Sequence, residues 1–303
     1  MRRNPTGYRA PGAQLVAIDL FAGSGGMSLG LEAAGFKTLG VELDPQACRA
    51  HQLGAGPCIQ EDARKFSVRG EVDLVAAGFP CQTYSFSRGG GRPVEDRSKR
   101  LFPEAFRVAV ETRSPALLFE NVKGLNAAVT EDGTGIIRVL YATAEHAGYH
   151  LQHRVLNAAD YGVPQIRERL IFVGFREYHD AMAFQWPSPT HSERKWRTVR
   201  DVLPHVPYDA PAPTIVATEA KSVKEWTRTD AKPRRGVERI SQGMGGSRFD
   251  PSPQELALLQ GYPRGYPFQG SRTEQMRQVG NSVPPPLAEA VARQIALVLR
   301  RSS

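Results

Sequence analysis

"LVAIDLFAGSGGMSLGLEAAGF", residues 15–36, is the stretch on which the fold turns. Leu15 to Phe21 is a short, β-rich apolar run, and "AGSGG" leads directly into a segment whose Met27, Leu31 and Ala34 lie on one helical face. The pattern is strand, glycine turn, helix, and it repeats outward. "KTLGVEL" (37–43) predicts a second strand, and "DPQACRAHQL" (44–53) predicts a helix with Asp44 as N-cap and Pro45 at its first position. "VDLVAAGF" (72–79) and "PALLFEN" (115–121) predict further buried strands, separated by a helical stretch over about 102–112. Their apolarity is continuous, not alternating, which predicts a parallel sheet covered on both faces. The expected fold class is α/β, doubly wound and Rossmann-like.

Beyond the hairpin-like pair "HLQHRVLNAADYG" (150–162) and "RERLIFVGF" (167–175), regular patterning stops near Phe184. From there to about Arg248 the chain is rich in proline, threonine and charge, with "YDAPAPTIVAT" (208–218) as its clear strand-like piece. A second, smaller and irregular domain is expected. Helix returns with "SPQELALLQ" (252–260) and in a final stripe of Leu287, Val291, Ile295 and Leu299, read as core packing against the sheet.

Charge concentrates in the irregular part. The chain has 39 Lys and Arg against 31 Asp and Glu, a formal +8, and residues 186–249 hold 12 basic and 7 acidic residues, or +5 of it. Trp186, Trp196 and Trp226 also fall there. Basic residues interleaved with aromatics suit nucleic acid, and they equally suit a solvated surface over a few core tryptophans. No apolar run approaches the roughly 18 residues of a membrane span, and no signal sequence is recognisable, so a cytoplasmic protein with a loose N-terminal tail is expected. The odd count of three cysteines, without C-x-x-C spacing, suggests neither disulfides nor a zinc site.

In an open parallel sheet, ligands sit beyond the carboxyl ends of the strands, and three of those ends carry chemistry. Gly23, Gly25 and Gly26 let a backbone approach a ligand at a helix N-terminus, and Glu42, 19 residues after Gly23, is placed to accept from ribose hydroxyls. NAD, S-adenosylmethionine and a purely structural glycine turn are all open at this point. Cys81, after Pro80 and beside a loop bearing Arg88, Arg92 and Arg97, has surroundings that favour a thiolate, whereas Cys48 and Cys58 read as ordinary buried thiols. Glu120 ends a buried strand, where an acid without a partner or a task would be costly.

"FAGSGG", "PCQ", "ENV", "QIRER" (165–169) and "QVGNSVPP" (278–285), in this order, resemble the DNA (cytosine-5)-methyltransferases of bacterial type. The likeness runs from about residue 15 to the C-terminal helix and leaves out 186–249. It implies that Cys81 adds as thiolate to carbon six of a flipped-out cytosine in duplex DNA and that Glu120, protonated, stabilises ring nitrogen three. Arg167 and Arg169 are then the arginines near the base, one binding the cytosine carbonyl and the other supporting the site. Phe21, Gly23, Gly25, Glu42, Asp62, Pro80, Asn281 and Ser282 are implied to line the pocket of S-adenosylmethionine, the co-substrate, with Asp62 on the adenine amino group and Asn281 near the methionine end. No metal is implied.

The same resemblance divides the chain into a catalytic domain, 13–184 completed by 271–303, and a target recognition domain, 185–270. It allows for a cognate restriction endonuclease in the same cell, and a monomer is expected. Gln254 stands where the family commonly has an arginine. A tRNA methyltransferase of the same family is the nearest alternative, disfavoured by the lack of a "CFT" signature. An inactive DNA-binding module is disfavoured by the intact cysteine, glutamate and arginines, and a nicotinamide oxidoreductase leaves "PCQ" and "ENV" unexplained.

Overall fold

The computed structural model describes residues 12–80, 101–130, 132–216 and 251–301. Seven strands form one sheet: β1 (Leu15–Leu20), β2 (Phe36–Glu42), β3 (Cys58–Gln60), β4 (Leu74–Ala77), β5 (Ala116–Val122), β6 (His150–Asn157) and β7 (Glu168–Phe175). Their order is β3-β2-β1-β4-β5-β7-β6, so the chain winds outward from β1 in one direction and from β4 in the other. A crevice at the carboxyl ends of β1 and β4 follows from that reversal.

Successive side chains of each strand enter different cores. Leu15 and Ala17 of β1, with Ala116 and Leu118 of β5, pack on one face under α1 (Gly26–Ala33) and α9 (Pro285–Arg301). Ile18, Leu20, Leu117 and Phe119 pack on the other with α3 (Phe102–Glu111) and α4 (Ile136–His146). Burial on both faces is why these strands read as unbroken apolar runs. The helix α2 (Pro45–Gly54) starts as its sequence demands: Asp44 Oδ1 accepts from the amides of Gln46 and Ala47, at 2.9 and 3.1 Å. Leu287, Val291, Ile295 and Leu299 are all buried in the first core.

The sheet is not parallel throughout. β7 runs antiparallel between β5 and β6, with Val122 opposite Arg169 and Glu120 opposite Ile171. An antiparallel strand delivers its first residues to the edge where its neighbour ends, so β7 opens at the carboxyl end of β5.

The described residues after Phe184 build a third core. Val199 of α6 (Val199–Val202), Leu203, Ala212 and Ile215 meet Leu256 and Leu259 of α7 (Pro253–Leu259), Tyr262, Tyr266 and Phe268, and Met276 and Val279 of α8 (Arg272–Asn281). One expectation is corrected here, and one alternative is decided for two residues. As far as Val216, the strand-like piece makes a single bridge, Ala212 with Gln165, because Pro211 and Pro213 on either side lack the N–H that a ladder needs. Two of the three tryptophans are committed to the protein. Trp186 packs on Phe184 and under the Arg154 guanidinium, and Trp196 Nε1 donates to Asp160 Oδ1 at 2.9 Å. Trp226 lies outside the described residues, with most of the basic segment.

The short α5 (Tyr178–Ala183), β3 and α4 were not anticipated from the sequence. No described helix is long and apolar enough to cross a membrane.

Candidate active site

The turn after β1 is held open by backbone geometry. Phe21 adopts φ +57°, a left-handed conformation that costs a non-glycine residue on the order of 1–3 kcal/mol, and such strain gathers at functional sites. Gly23 follows at φ +55°, and a side chain there would meet nothing within 4 Å, so this glycine borders free space. The other two glycines also serve packing. A Cβ on Gly25 would lie 2.5 Å from that of Ala55, and one on Gly26 would lie 2.1 Å from Ser282 Oγ.

Glu42 ends β2 and braces the turn, its Oε2 accepting from Gly23 N and its Oε1 from Asp44 N, each at 2.8 Å. Burial holds this carboxyl above the usual carboxylate range, and the two amides oppose the shift. Leu43, next in the chain and 62% exposed, is a large apolar side chain left at the same strand end. Asp62 receives the guanidinium of Arg64, with Nη2 to Oδ2 at 2.6 Å, and that hydrogen-bonded cation lowers its pKa. Pro80 and Asn281 are exposed at this edge. Ser282 is buried, and its hydroxyl is engaged within the protein.

The reaction edge lies across the switch point. Glu120 is 8% exposed, and its Oε1 takes Arg169 Nε at 2.8 Å. The two are diagonal neighbours on one face of the β5 and β7 pair, far apart in sequence and joined by antiparallel register. Burial raises the Glu120 pKa, and Arg169 and Arg167 pull against that rise. Oε2 looks toward Gly78, where an added Cβ would stand 3.8 Å away. Asn121 Nδ2 donates to Phe79 O at 3.0 Å and so fastens the end of β5 to the segment that leads into Pro80. Cys81 and the loop carrying Arg88, Arg92 and Arg97 lie outside the described residues. Cys48 and Cys58 are free and buried, and burial raises both thiols.

Arg167 and Arg169 have different surroundings. Arg167 is 1% exposed, its Nη1 donating to Ile215 O at 2.7 Å and its Nη2 to the carbonyls of Gly280 and Ser282 at 2.8 and 2.9 Å. Beside it the fully buried Gln165 accepts from Ile215 N and bonds Gln260, whose Nε2 donates to Ser282 O at 2.8 Å. This polar knot ties the start of β7 to Ile215, to Gln260 at the end of α7 and to the loop after α8. Gln254, where the family commonly has an arginine, donates from Nε2 to Tyr266 O at 2.8 Å.

A buried chain of three polar residues lies behind the glycine turn and escaped the sequence reading. Asp19 shares the face of Leu15 and Ala17, under α1, where its Oδ2 lies 2.8 Å from Ser28 Oγ, itself 3.0 Å from His51 Nε2. His51 Nδ1 faces the carbonyl of Gly56 at 3.1 Å and therefore carries a proton. Ser28 Oγ donates to Asp19 Oδ2, and His51 Nε2 meets the same hydroxyl from the other side. Burial raises Asp19 to about 7, against the pull of its Ser28 hydrogen bonds, and lowers His51. Asp19 gave no signal in the sequence because one acid within an apolar strand does not disclose its partners.

The sequence pattern of the family described as C-5 cytosine-specific DNA methylase matches residues 15–250 and 249–297. The Type II methyltransferase M.NgoMIV of Neisseria gonorrhoeae is 33% identical over 321 residues, spanning 96% of this chain and all of that one. The Type II methyltransferase M1.HphI of Haemophilus parahaemolyticus is 30% identical over 337 residues, spanning 93% and 86%. In fold, the chain resembles the Schizosaccharomyces pombe Dnmt2 methyltransferase structure (S. pombe), with a TM-score of 0.62 at 18% identity over 95% of this chain and 99% of that one.

Proposed function

The chain belongs to the C-5 cytosine-specific DNA methylase family, and from that premise we propose how its residues divide the work. The enzyme is an S-adenosylmethionine-dependent DNA (cytosine-5-)-methyltransferase. The residues about the first turn suit such a donor: free space beyond Gly23, a carboxylate at Glu42 with lone pairs to spare, and the exposed Asn281 opposite. Phe21, Gly23, Gly25, Glu42, Asp62, Pro80, Asn281 and Ser282 form this wall, Gly25 and Ser282 by shaping it from behind. When bound there, the sulfonium supplies an electrophilic methyl group.

Carbon five of cytosine is too weak a nucleophile to take a methyl group unaided. The Cys81 thiolate adds to carbon six, and negative charge gathers at ring nitrogen three. Glu120 meets that charge with a proton, and its dry surroundings favour the protonated form it needs. Arg169 holds Glu120 in place and reaches the cytosine carbonyl, while the enclosed Arg167 is the supporting arginine. After methyl transfer, loss of the proton on carbon five expels the cysteine. Because the target carbon is stacked inside a duplex, the base must first be swung out, at a cost of a few kcal/mol that phosphate contacts offset.

Residues 13–184 with 271–303 act as the catalytic domain, and 185–270 read the DNA sequence. The bacterial relatives named above carry Type II names, which supports a role beside a cognate restriction endonuclease. The observation that carries the assignment is the buried Glu120–Arg169 pair, fastened through Asn121 to the segment preceding Cys81.

Duplex DNA with 5-fluorocytosine at the target should trap the enzyme covalently when S-adenosylmethionine is present, because fluorine cannot leave as a cation. Cys81→Ser should abolish the adduct, since a serine hydroxyl is far less ionised than a thiol. Mapping of the adduct to Cys48 or Cys58 would overturn the assignment, and trapping on fluorinated tRNA alone would move the protein to the RNA branch.

A further inference from the structure

Tyr262 is 3% exposed and could pass for an ordinary core aromatic, tilted against Tyr266 at a ring distance of 4.6 Å and edge-on to Phe268 at 5.1 Å. Its hydroxyl has more specific company. It lies 3.0 Å from Ser24 Oγ and 2.5 Å from Ser282 Oγ. Ser24 belongs to the glycine turn between Gly23 and Gly25, and Ser282 follows Asn281, so one phenol touches both loops assigned to the methyl donor.

The direction of these bonds is set by proton count. Ser282 Oγ donates to Val283 O at 3.1 Å, so the phenol donates to Ser282 and must receive from Ser24. The chain runs Ser24, Tyr262, Ser282, Val283 without a break, and aligned bonds of this kind reinforce one another. The phenol stays neutral, because burial pushes its pKa up to about 12. Tyr266 donates to the carbonyl of Ser24 and grips the same residue from a second side. The missing side chain of Gly26, where a Cβ would stand 2.8 Å from the Tyr262 hydroxyl, lets the three groups meet.

We propose that Tyr262 is a positioning residue that fixes the separation of the Gly23–Gly25 turn and the Asn281–Ser282 loop, and thereby the affinity for S-adenosylmethionine. This rests on the assignment of those two loops to the methyl donor. Tyr262 lies within residues 185–270, so the donor site is set in part by a residue of the DNA-reading part of the chain.

Tyr262→Phe keeps the ring and removes only the hydroxyl. Calorimetry on the purified variant should show S-adenosylmethionine binding weakened roughly tenfold, the loss expected for one or two hydrogen bonds. Affinity for target DNA without the donor should stay within about twofold, and so should kcat at saturating donor, which a general loss of folding would not spare. Ser24→Ala should weaken donor binding in the same direction. The double variant should be no weaker than Tyr262→Phe alone, since both changes break one chain. Unchanged donor affinity in Tyr262→Phe, or strict additivity in the double variant, would overturn the proposal. Wild-type protein that binds the donor while Glu42→Ala and Asn281→Ala bind it equally well would instead overturn the assignment of the loops.

Discussion

Glu42 ends β2 and Glu120 stands two residues before the end of β5, both at the carboxyl edge of the same sheet, and burial pushes both above the usual carboxylate range. They differ in what opposes that push. Glu42 is held by two backbone amides, at Gly23 and Asp44, which cannot move without the turn moving. Glu120 is held by a side chain, Arg169, across the strand pair. A carboxylate fixed by backbone is a fitted acceptor, suited to binding. One balanced between desolvation and a guanidinium is suited to changing its proton as charge develops nearby. Chemistry and binding are thus separated along one sheet edge by the kind of partner each acid was given.

The sharpest way to break this comparison is Glu120→Gln, which keeps a hydrogen-bond donor and removes the transferable proton. Single-turnover methylation should slow by about 10²–10⁴-fold with DNA affinity largely intact. A loss under tenfold would make Glu120 a binding residue like Glu42.

Asp19 extends the comparison to a fully buried acid held by Ser28, whose hydroxyl lies 2.8 Å from Oδ2. Its pKa is about 7 in the fold and near 4 when unfolded, so between those values the native state binds the extra proton. Stability therefore falls as pH rises from about 4 to about 7, by up to about 4 kcal/mol, and is flat above that window. Asp19→Asn imitates the protonated acid. Urea unfolding across that range should show a slope in wild type that the variant lacks, and parallel curves would mean that Asp19 is ionised in the fold.

Glu42→Ala should weaken S-adenosylmethionine binding by about 1–3 kcal/mol, since the donor loses an acceptor and Gly23 loses its brace. Equal affinity by calorimetry would remove Glu42 from the pocket. The smallest effect is expected at Arg64→Ala. Its pair with Asp62 is exposed to water, so the unfolding midpoint should not change measurably and donor affinity should stay within about threefold. A larger loss would show that Arg64 presets the Asp62 carboxylate.

How much of this was legible varied with the range of the cause. The helix start at Asp44, the turn after Leu20 and the stripe of the last helix were readable because each depends on residues within a few positions of one another. The packing role of Gly25 and Gly26 was not legible, because Ala55 and Ser282, which need the space, are remote in sequence. Composition left Trp186 and Trp196 open as base contacts or core residues, and the fold gives them to Arg154 and Asp160. "YDAPAPTIVAT" had strand composition, and its prolines limited it to one bridge in its described part.

The sequence by itself determined that strands and helices alternate about a sheet, and that a cysteine, a glutamate and a pair of arginines stand in the order of one enzyme family. Those are properties of local pattern and of motif order, which a linear chain carries intact. Which arginine faces Glu120 was decided by tertiary structure alone. Antiparallel pairing places Arg169 at the end of β5, while Arg167, two residues earlier, is enclosed by the carbonyls of Ile215, Gly280 and Ser282. Register and burial are set by segments that meet only when the chain folds, so two arginines alike in sequence acquire different work.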